Sequence, residues 1–399
     1  MPPPTGEERH GLARFDFILI GASVILSFIG VMVVYASTRE QLIAQGVSPH
    51  YLMDHQAEYV VVGIIVMLGL AWFDYHWLEA LWWVLYGGLV LALLATFTPL
   101  GSSALGAARW IQVGPVQVQP SAFGALMLIV LVAAYYGKQH RLDHIHNGSL
   151  ALNDLVKLLA LAAVPILLVV KQPDLGSGLV MLSTLFVLLV VAGMPNRYAV
   201  LLVILGVLGA VAMVKFGLLH HYQLQRLTSF IHQSNNPNGA SYNSVESKAA
   251  IGSGGLLGTG LFKGAQVNLF FLPESQTDFI FSVIGEELGF VGGAVVISLL
   301  GVVIWRMIRI ARSSVDPVGR ILVGGAVGLI AFSVFENIGM ASGIMPVAGI
   351  PLPFISYGGS AILSFFICSG IALSVYSHSQ RNKKSIATLP MSGRSPYER

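Results

Sequence analysis

Long apolar stretches recur along most of this 399-residue chain, and nothing else in it limits the fold as strongly. A stretch of roughly 17 to 25 residues can cross a bilayer as a helix. Ten stand out, near residues 15–36, 57–73, 77–97, 120–137, 154–171, 176–193, 198–215, 278–305, 319–343 and 358–377. Charged residues make up 10% of the chain, against about 25% in soluble domains. The stretches therefore read as membrane spans, not as buried core helices. Period-two alternation is absent, which argues against an outer-membrane barrel. The first stretch follows a polar start but runs too far, without a cleavage-like site, to be a signal peptide. The expected fold is an all-α polytopic bundle of ten transmembrane helices, with Pro173 marking a break between the fifth and sixth.

Lys and Arg set the orientation. With the amino terminus inside, the inner segments carry most of them, including Arg9, Arg14, Lys138, Arg141, Arg306, Arg309 and Arg312. Both termini are expected to be cytoplasmic. The chain then divides into a tail at 1–14, a membrane domain at 15–377 and a second tail at 378–399. A long outer loop, 216–277, precedes the eighth span. Its second half, AAIGSGGLLGTGLFKGAQVNLFFLP, is too apolar for a solvated tail and is expected to pack into the outer mouth of the bundle. The polar tail after 377 reads as disordered, with a basic cluster suited to the inner leaflet.

Several functions are excluded early. The net charge of +3, without a basic aromatic patch, gives no support for nucleic-acid binding. GSGG at 252–255 lacks the Lys and Ser/Thr of a phosphate-binding loop. Cys368, the single cysteine, lies in an apolar run without metal-ligand spacing and reads as a small buried side chain.

The chemistry-bearing residues gather on the outer side. FLPESQTDFIFSVIGEELGF, residues 271–290, opens polar and turns apolar around Asp278. Thr277 or Ser275 can cap a helix whose first turn holds Asp278, favoured there by the helix dipole. Asp278 is then either a capping acid or a functional one, and Glu274 stands beside it as a substrate-binding candidate. Glu286 and Glu287 lie roughly 12 to 14 Å deeper. Glu286 is the one able to work near Asp278, while Glu287 faces elsewhere. In GAARWIQVGPVQVQPSAF, Arg109 and Trp110 suit an anionic or sugar-bearing headgroup, or else anchor the chain at the interface. Asp174, in KQPDLGSG, suits a site at a broken helix or caps the next span. YQLQR places Tyr222 and Arg226 on one face if helical. PVAGIPLPFISYGGS, with Ser356 and Tyr357 as substrate-binding candidates, is irregular backbone at membrane depth, which requires protein or a cavity around it. An outer cavity lined by Arg109, Asp174, Arg226 and Asp278 would offer cations for an anionic group and carboxylates for proton transfer. Without a nucleotide site, its substrate would have to be already activated and held by the membrane.

These motifs, in this order from about residue 16 to 377, resemble the SEDS family. GA-x-RWI, KGAQ and QPDLG lean towards RodA more than FtsW or SpoVE. The resemblance implies ten membrane helices and peptidoglycan glycosyltransferase activity on lipid II during cell-wall elongation. It implies a class B penicillin-binding protein as partner, besides other elongation proteins and membrane lipids. No cofactor is implied, and a divalent cation is left open. The family's essential aspartate, in TDF, corresponds to Asp278. The chemistry of glycosyl transfer from a lipid pyrophosphate then assigns Asp278 as general base, Arg109 and Arg226 as candidates to face phosphate, and Asp174 as an accessory or structural acid. The chain also departs from the pattern. Ala122 and Ala125 stand where the family has a Glu and a Lys, Gln276 replaces a usual His, Glu246 a usual Gln, and Thr259 a usual Lys. A lipid II transporter and a noncatalytic scaffold for the penicillin-binding protein are the competing readings.

Overall fold

Cap chemistry starts several of the helices. The computed structural model describes residues 15–104, 107–114, 116–141, 150–217 and 241–387, together with Leu224, Arg226 and Phe230. Helix α1, Phe17–Ala44, begins where the Asp16 carboxylate accepts the Leu19 N–H at 3.0 Å. It is followed by α2 (Tyr51–Trp72), a short α3 (His76–Ala80) and α4 (Trp82–Ala95). After a small sheet and a 3₁₀ turn at Pro120–Phe123 come α5 (Gly124–Arg141), α6 (Leu152–Lys171), α7 (Leu175–Val191) and α8 (Asn196–Lys215). The outer loop contributes α9 (Tyr242–Ser253) and a single turn, α10 (Ala265–Asn268). Three long helices finish the chain: α11 (Ile280–Ser313), α12 (Pro317–Ala341) and α13 (Gly359–Ala387). Pro317 opens α12 without a lost hydrogen bond, and Asp316 before it accepts the Val318 and Gly319 N–H groups.

Among the described residues, eight helices are long and apolar enough to cross a membrane. The third and sixth expected spans correspond to shorter apolar helices, α4 with 14 residues and α7 with 17. The break expected at Pro173 falls between α6 and α7. At the carboxy end α13 runs on to Ala387, past the tail boundary expected at 377, and the remainder of that tail lies outside the described residues. A second difference lies in the outer segment 98–119, which holds an antiparallel sheet. Strands β1 (Gly101–Ala104), β2 (Ala107–Val113) and β3 (Val116–Val118) pair in that order, with Ser102 opposite Trp110 and Val113 opposite Val116.

Burial separates core helices from lipid-facing ones. In α5 83% of the apolar window is buried, whereas no residue of α8 is. An apolar helix without buried residues suits a lipid-facing position at the edge of a membrane bundle. Close packing runs through small residues. A Cβ on Gly63 of α2 would meet the Phe366 ring of α13 at 2.2 Å, and one on Gly325 of α12 would meet Leu188 of α7 at 2.4 Å.

The described part of the outer loop does pack into the bundle. In α9, the Ser247 hydroxyl donates to the Ala341 carbonyl at 2.7 Å and sits 2.6 Å from the Ser282 hydroxyl. Helix α11 is interrupted at Gly289, where φ is 67° and ψ −165°. Residues 255–260 satisfy the freed backbone. Thr259 and Gly260 donate to the carbonyls of Glu286 and Glu287, while Phe290 and Val291 donate to Gly255 and Leu256. No carbon fits at the crossing: a Cβ on Gly254 would lie 1.9 Å from the Gly285 oxygen. This explains the glycine-rich wording of the loop.

Candidate active site

Asp278 sits in a tight turn just ahead of α11. The N–H groups of Thr277, Asp278 and Phe279 all converge on the Glu274 carbonyl, at 3.1 to 3.2 Å, and Glu274 adopts a left-handed φ of 54°. Helix α11 begins only at Ile280 and has no side-chain cap. The expected capping is therefore corrected. The Thr277 hydroxyl bonds Glu274, the Ser275 hydroxyl donates to the Ser37 carbonyl, and Asp278 precedes the first helical turn.

The neighbouring loop, 345–358, is fastened to this turn from both sides. Asn337 of α12 donates one amide group to two carbonyls, Asp278 at 2.8 Å and Ile350 at 2.9 Å. Tyr357 N–H donates to Gln276 O at 2.9 Å. Gln56 of α2, fully buried, donates to the carbonyl of Ser356 and accepts from the Gly358 N–H. Gly349 then lets charge approach. A Cβ there would lie 3.3 Å from Asp278 Oδ2 and 3.8 Å from Arg226 Nη1, so the acid and the guanidinium close on one glycine. Arg226 also donates to the Val347 carbonyl at 3.2 Å.

The third wall comes from β2 and the break between α6 and α7. Arg109 donates from Nη2 to the Pro173 carbonyl. Asp174 caps α7 through the Ser177 N–H at 3.2 Å. Its other oxygen accepts from the hydroxyls of Ser177 and Ser121, at 2.8 and 2.9 Å, and from the Gln119 amide at 3.1 Å. The carboxylate is 5% exposed but well satisfied.

Together these walls enclose a cavity of about 1370 Å³, its open mouth included. Arg109, Trp110, Asp174, Arg226, Glu274, Asp278 and Tyr357 all line it. One to three helical turns further in, the lining becomes apolar, with Ala125, Val180, Met181, Leu329 and Phe365. Ala122 and Ala125 both face this chamber. Ser356 does not. It is 1% exposed, its hydroxyl donates to Thr277 O at 2.7 Å and accepts from Leu352 N–H at 2.8 Å, and it holds the loop to the turn. Glu286 and Glu287 are buried away from the cavity. Glu286 accepts the Gln266 N–H at 2.8 Å and anchors the α10 turn. Tyr222 lies outside the described residues.

Burial raises the Asp278 carboxyl to about 6, and the Glu274 carboxylate pushes in the same direction; Arg226 and Arg109 oppose both. An acid held near 6 is ionised at neutral pH and still basic enough to take a proton. Sequence reasoning passed over Gln56, Asn337 and Glu336. Glu336 is 1% exposed and close enough to Asp278 and Arg226 to feel their charges. Their signal was present: isolated polar residues within otherwise apolar runs. Among the described residues, no group of three or more His, Cys, Asp or Glu could hold a metal ion.

Comparison with known proteins places this geometry in a family. Residues 16–381 match the FtsW/RodA/SpoVE model, described as Cell cycle protein. Stage V sporulation protein E of Bacillus subtilis (strain 168) is 34% identical over 92% of this chain and 98% of its own. Peptidoglycan glycosyltransferase MrdB of Escherichia coli (strain K12) is 37% identical over 84% of this chain and 88% of its own. Among solved structures, one reported under "Structural coordination of polymerization and crosslinking by a peptidoglycan synthase complex" superposes with a TM-score of 0.74 and 26% identity, covering 92% of this chain and 98% of its own. The crystal structure of Thermus thermophilus Rod shape determining protein RodA gives 0.64 and 27%, over 92% and 97%. The match over nearly the whole chain leads to one conclusion: this chain belongs to the FtsW/RodA/SpoVE family, the SEDS proteins, and is a polytopic membrane protein.

Proposed function

We propose that the chain is a peptidoglycan glycosyltransferase that polymerises lipid II at the outer face of the cytoplasmic membrane during cell-wall elongation. The observation that carries this reading is that Asp278 and Arg226 both reach the Gly349 backbone, each within 4 Å of where a Cβ would lie, inside a cavity that Arg109 also lines. An acceptor sugar hydroxyl attacks the anomeric carbon of a second, lipid-linked sugar. As the new C–O bond forms, the hydroxyl proton passes to the Asp278 carboxylate and the bond to the lipid pyrophosphate breaks. Pyrophosphate leaves without protonation, so one carboxyl suffices where a glycosidase uses two. Arg109 and Arg226 meet the charge that builds on the leaving oxygen. Glu274, Trp110 and Tyr357 bind the sugars and peptide at the mouth, and Asp174 shapes the Arg109 wall.

The class B penicillin-binding protein belongs to this proposal as partner, supported by the likeness to a complex that coordinates polymerization and crosslinking. So do cytoplasmic termini and a single membrane unit at 15–377. A second reading, lipid transport, draws on the broken α11 and the intramembrane acids. Purified protein with its partner, given labelled lipid II, separates the two. Glycan strands that disappear with Asp278→Ala support the transferase. A folded complex that forms no polymer yet moves lipid II across proteoliposomes, with or without Asp278, overturns it.

A further inference from the structure

A second cavity, of about 700 Å³ with its open mouth included, lies at the far end of α11 from Asp278, between the carboxy-terminal ends of α11 and α13. On α11 it is lined by Arg306, Arg309, Ile310 and Ser313, spaced i, i+3, i+4 and i+7, so one face of the helix forms the wall. On α13 it is lined by Tyr376 and Gln380, one turn apart. Among the described residues, no carboxylate lines it. The two arginines differ in state. Arg306 grips Asp16 with Nε and Nη2, which holds the start of α1 to α11 and neutralises that guanidinium. Arg309 is exposed and lies over the Trp305 ring, 5.7 Å from its centroid. Trp305 itself is 52% exposed, the usual state of an indole at the edge of a bilayer. Beyond Gln380 the helix continues to Ala387 and carries Arg381, Lys383 and Lys384.

We propose that this cavity holds the headgroup of an anionic phospholipid from the leaflet opposite the active site. Its phosphate meets the Arg309 guanidinium, with Tyr376 and Gln380 supplying hydrogen-bond donors from the facing helix. A lipid suits the site better than a dissolved anion, because the pocket lies level with Trp305 and acyl chains can follow the exposed apolar side of α11. Arg306 serves here as the fixed wall, since Asp16 already occupies it.

Native mass spectrometry of the full chain in detergent tests the assignment, with phosphatidylglycerol and phosphatidylethanolamine supplied at equal concentration. Preferential retention of phosphatidylglycerol is expected. Arg309→Gln, at an exposed position, should cut that retention about fivefold, the effect of one cation near a charged surface. Tyr376→Phe, which keeps the ring and removes only the hydroxyl, should weaken it less. Equal retention of the two lipids, or retention unchanged by Arg309→Gln, would overturn the proposal. Displacement of the lipid by millimolar inorganic phosphate would assign the pocket to a free anion and equally overturn it. The readout is lipid retention, so either result leaves glycosyl transfer unaffected.

Discussion

At the scale of single residues, Asp278 makes the sharpest prediction. Its carboxyl is raised to about 6 by burial and by Glu274. A general base works only when deprotonated, so polymerisation should rise with pH through about 6 and then level off. Glu274→Gln removes a negative neighbour, lowers the Asp278 value and should move this limb to lower pH. Arg226→Gln removes a positive one and should move it higher. A limb that stays in place in both variants would detach the pH dependence from Asp278. Asp174 presents a different problem, since cap and cavity-lining acid were both readable from KQPDLGSG and the structure unites them. Asp174→Ala leaves the Ser121, Ser177 and Gln119 donors without their acceptor and should cost about 1–3 kcal/mol in thermal unfolding. Asp174→Asn keeps an acceptor and the volume. If the charge matters only for structure, that variant should retain polymerisation.

At the scale of elements, the interrupted helix α11 and the glycine-rich crossing at 254–260 act as one unit. Gly289 adopts backbone angles essentially confined to glycine, and a Cβ there would lie 2.3 Å from the Gly258 nitrogen. Gly289→Ala should therefore destabilise the protein by about 1–3 kcal/mol or more, read as a lower Tm in detergent. An unchanged Tm would contradict the crossing. Span positions were legible because hydrophobic length alone determines them. The sheet at 101–118 was not. Its strands have four, seven and three residues, and GSSA and VQV are too short to show alternation. The cap at Asp278 was misread because Ser, Thr and Asp before an apolar run suit a turn as well as a helix start. In this chain the turn closes on Glu274. Ser356 was placed on the correct loop but on its inner side, since backbone bonds at Thr277 and Leu352 claim its hydroxyl. A sequence motif marks such a loop without showing which side chains it spends on its own backbone.

At the scale of the whole molecule, segments far apart in sequence converge on one chamber. That convergence was legible, because alternate loops of a helical bundle must share a face. Its floor was not legible, since Val180, Met181, Leu329 and Phe365 look like any other apolar span residues. Orientation is open to a direct check. Cys368, the only cysteine, is buried and should stay silent. In intact cells, an impermeant thiol reagent should label Lys263→Cys and leave Val315→Cys unlabelled. The reverse pattern would turn the chamber to the cytoplasm. The central claim is that Asp278 takes the proton during glycosyl transfer. The most direct measurement is the rate of glycan-strand formation from labelled lipid II by Asp278→Asn, isosteric and free of charge, beside the wild-type chain. A loss of about 10²–10⁴-fold with unchanged Tm is the predicted result, and a rate equal to wild type would contradict it.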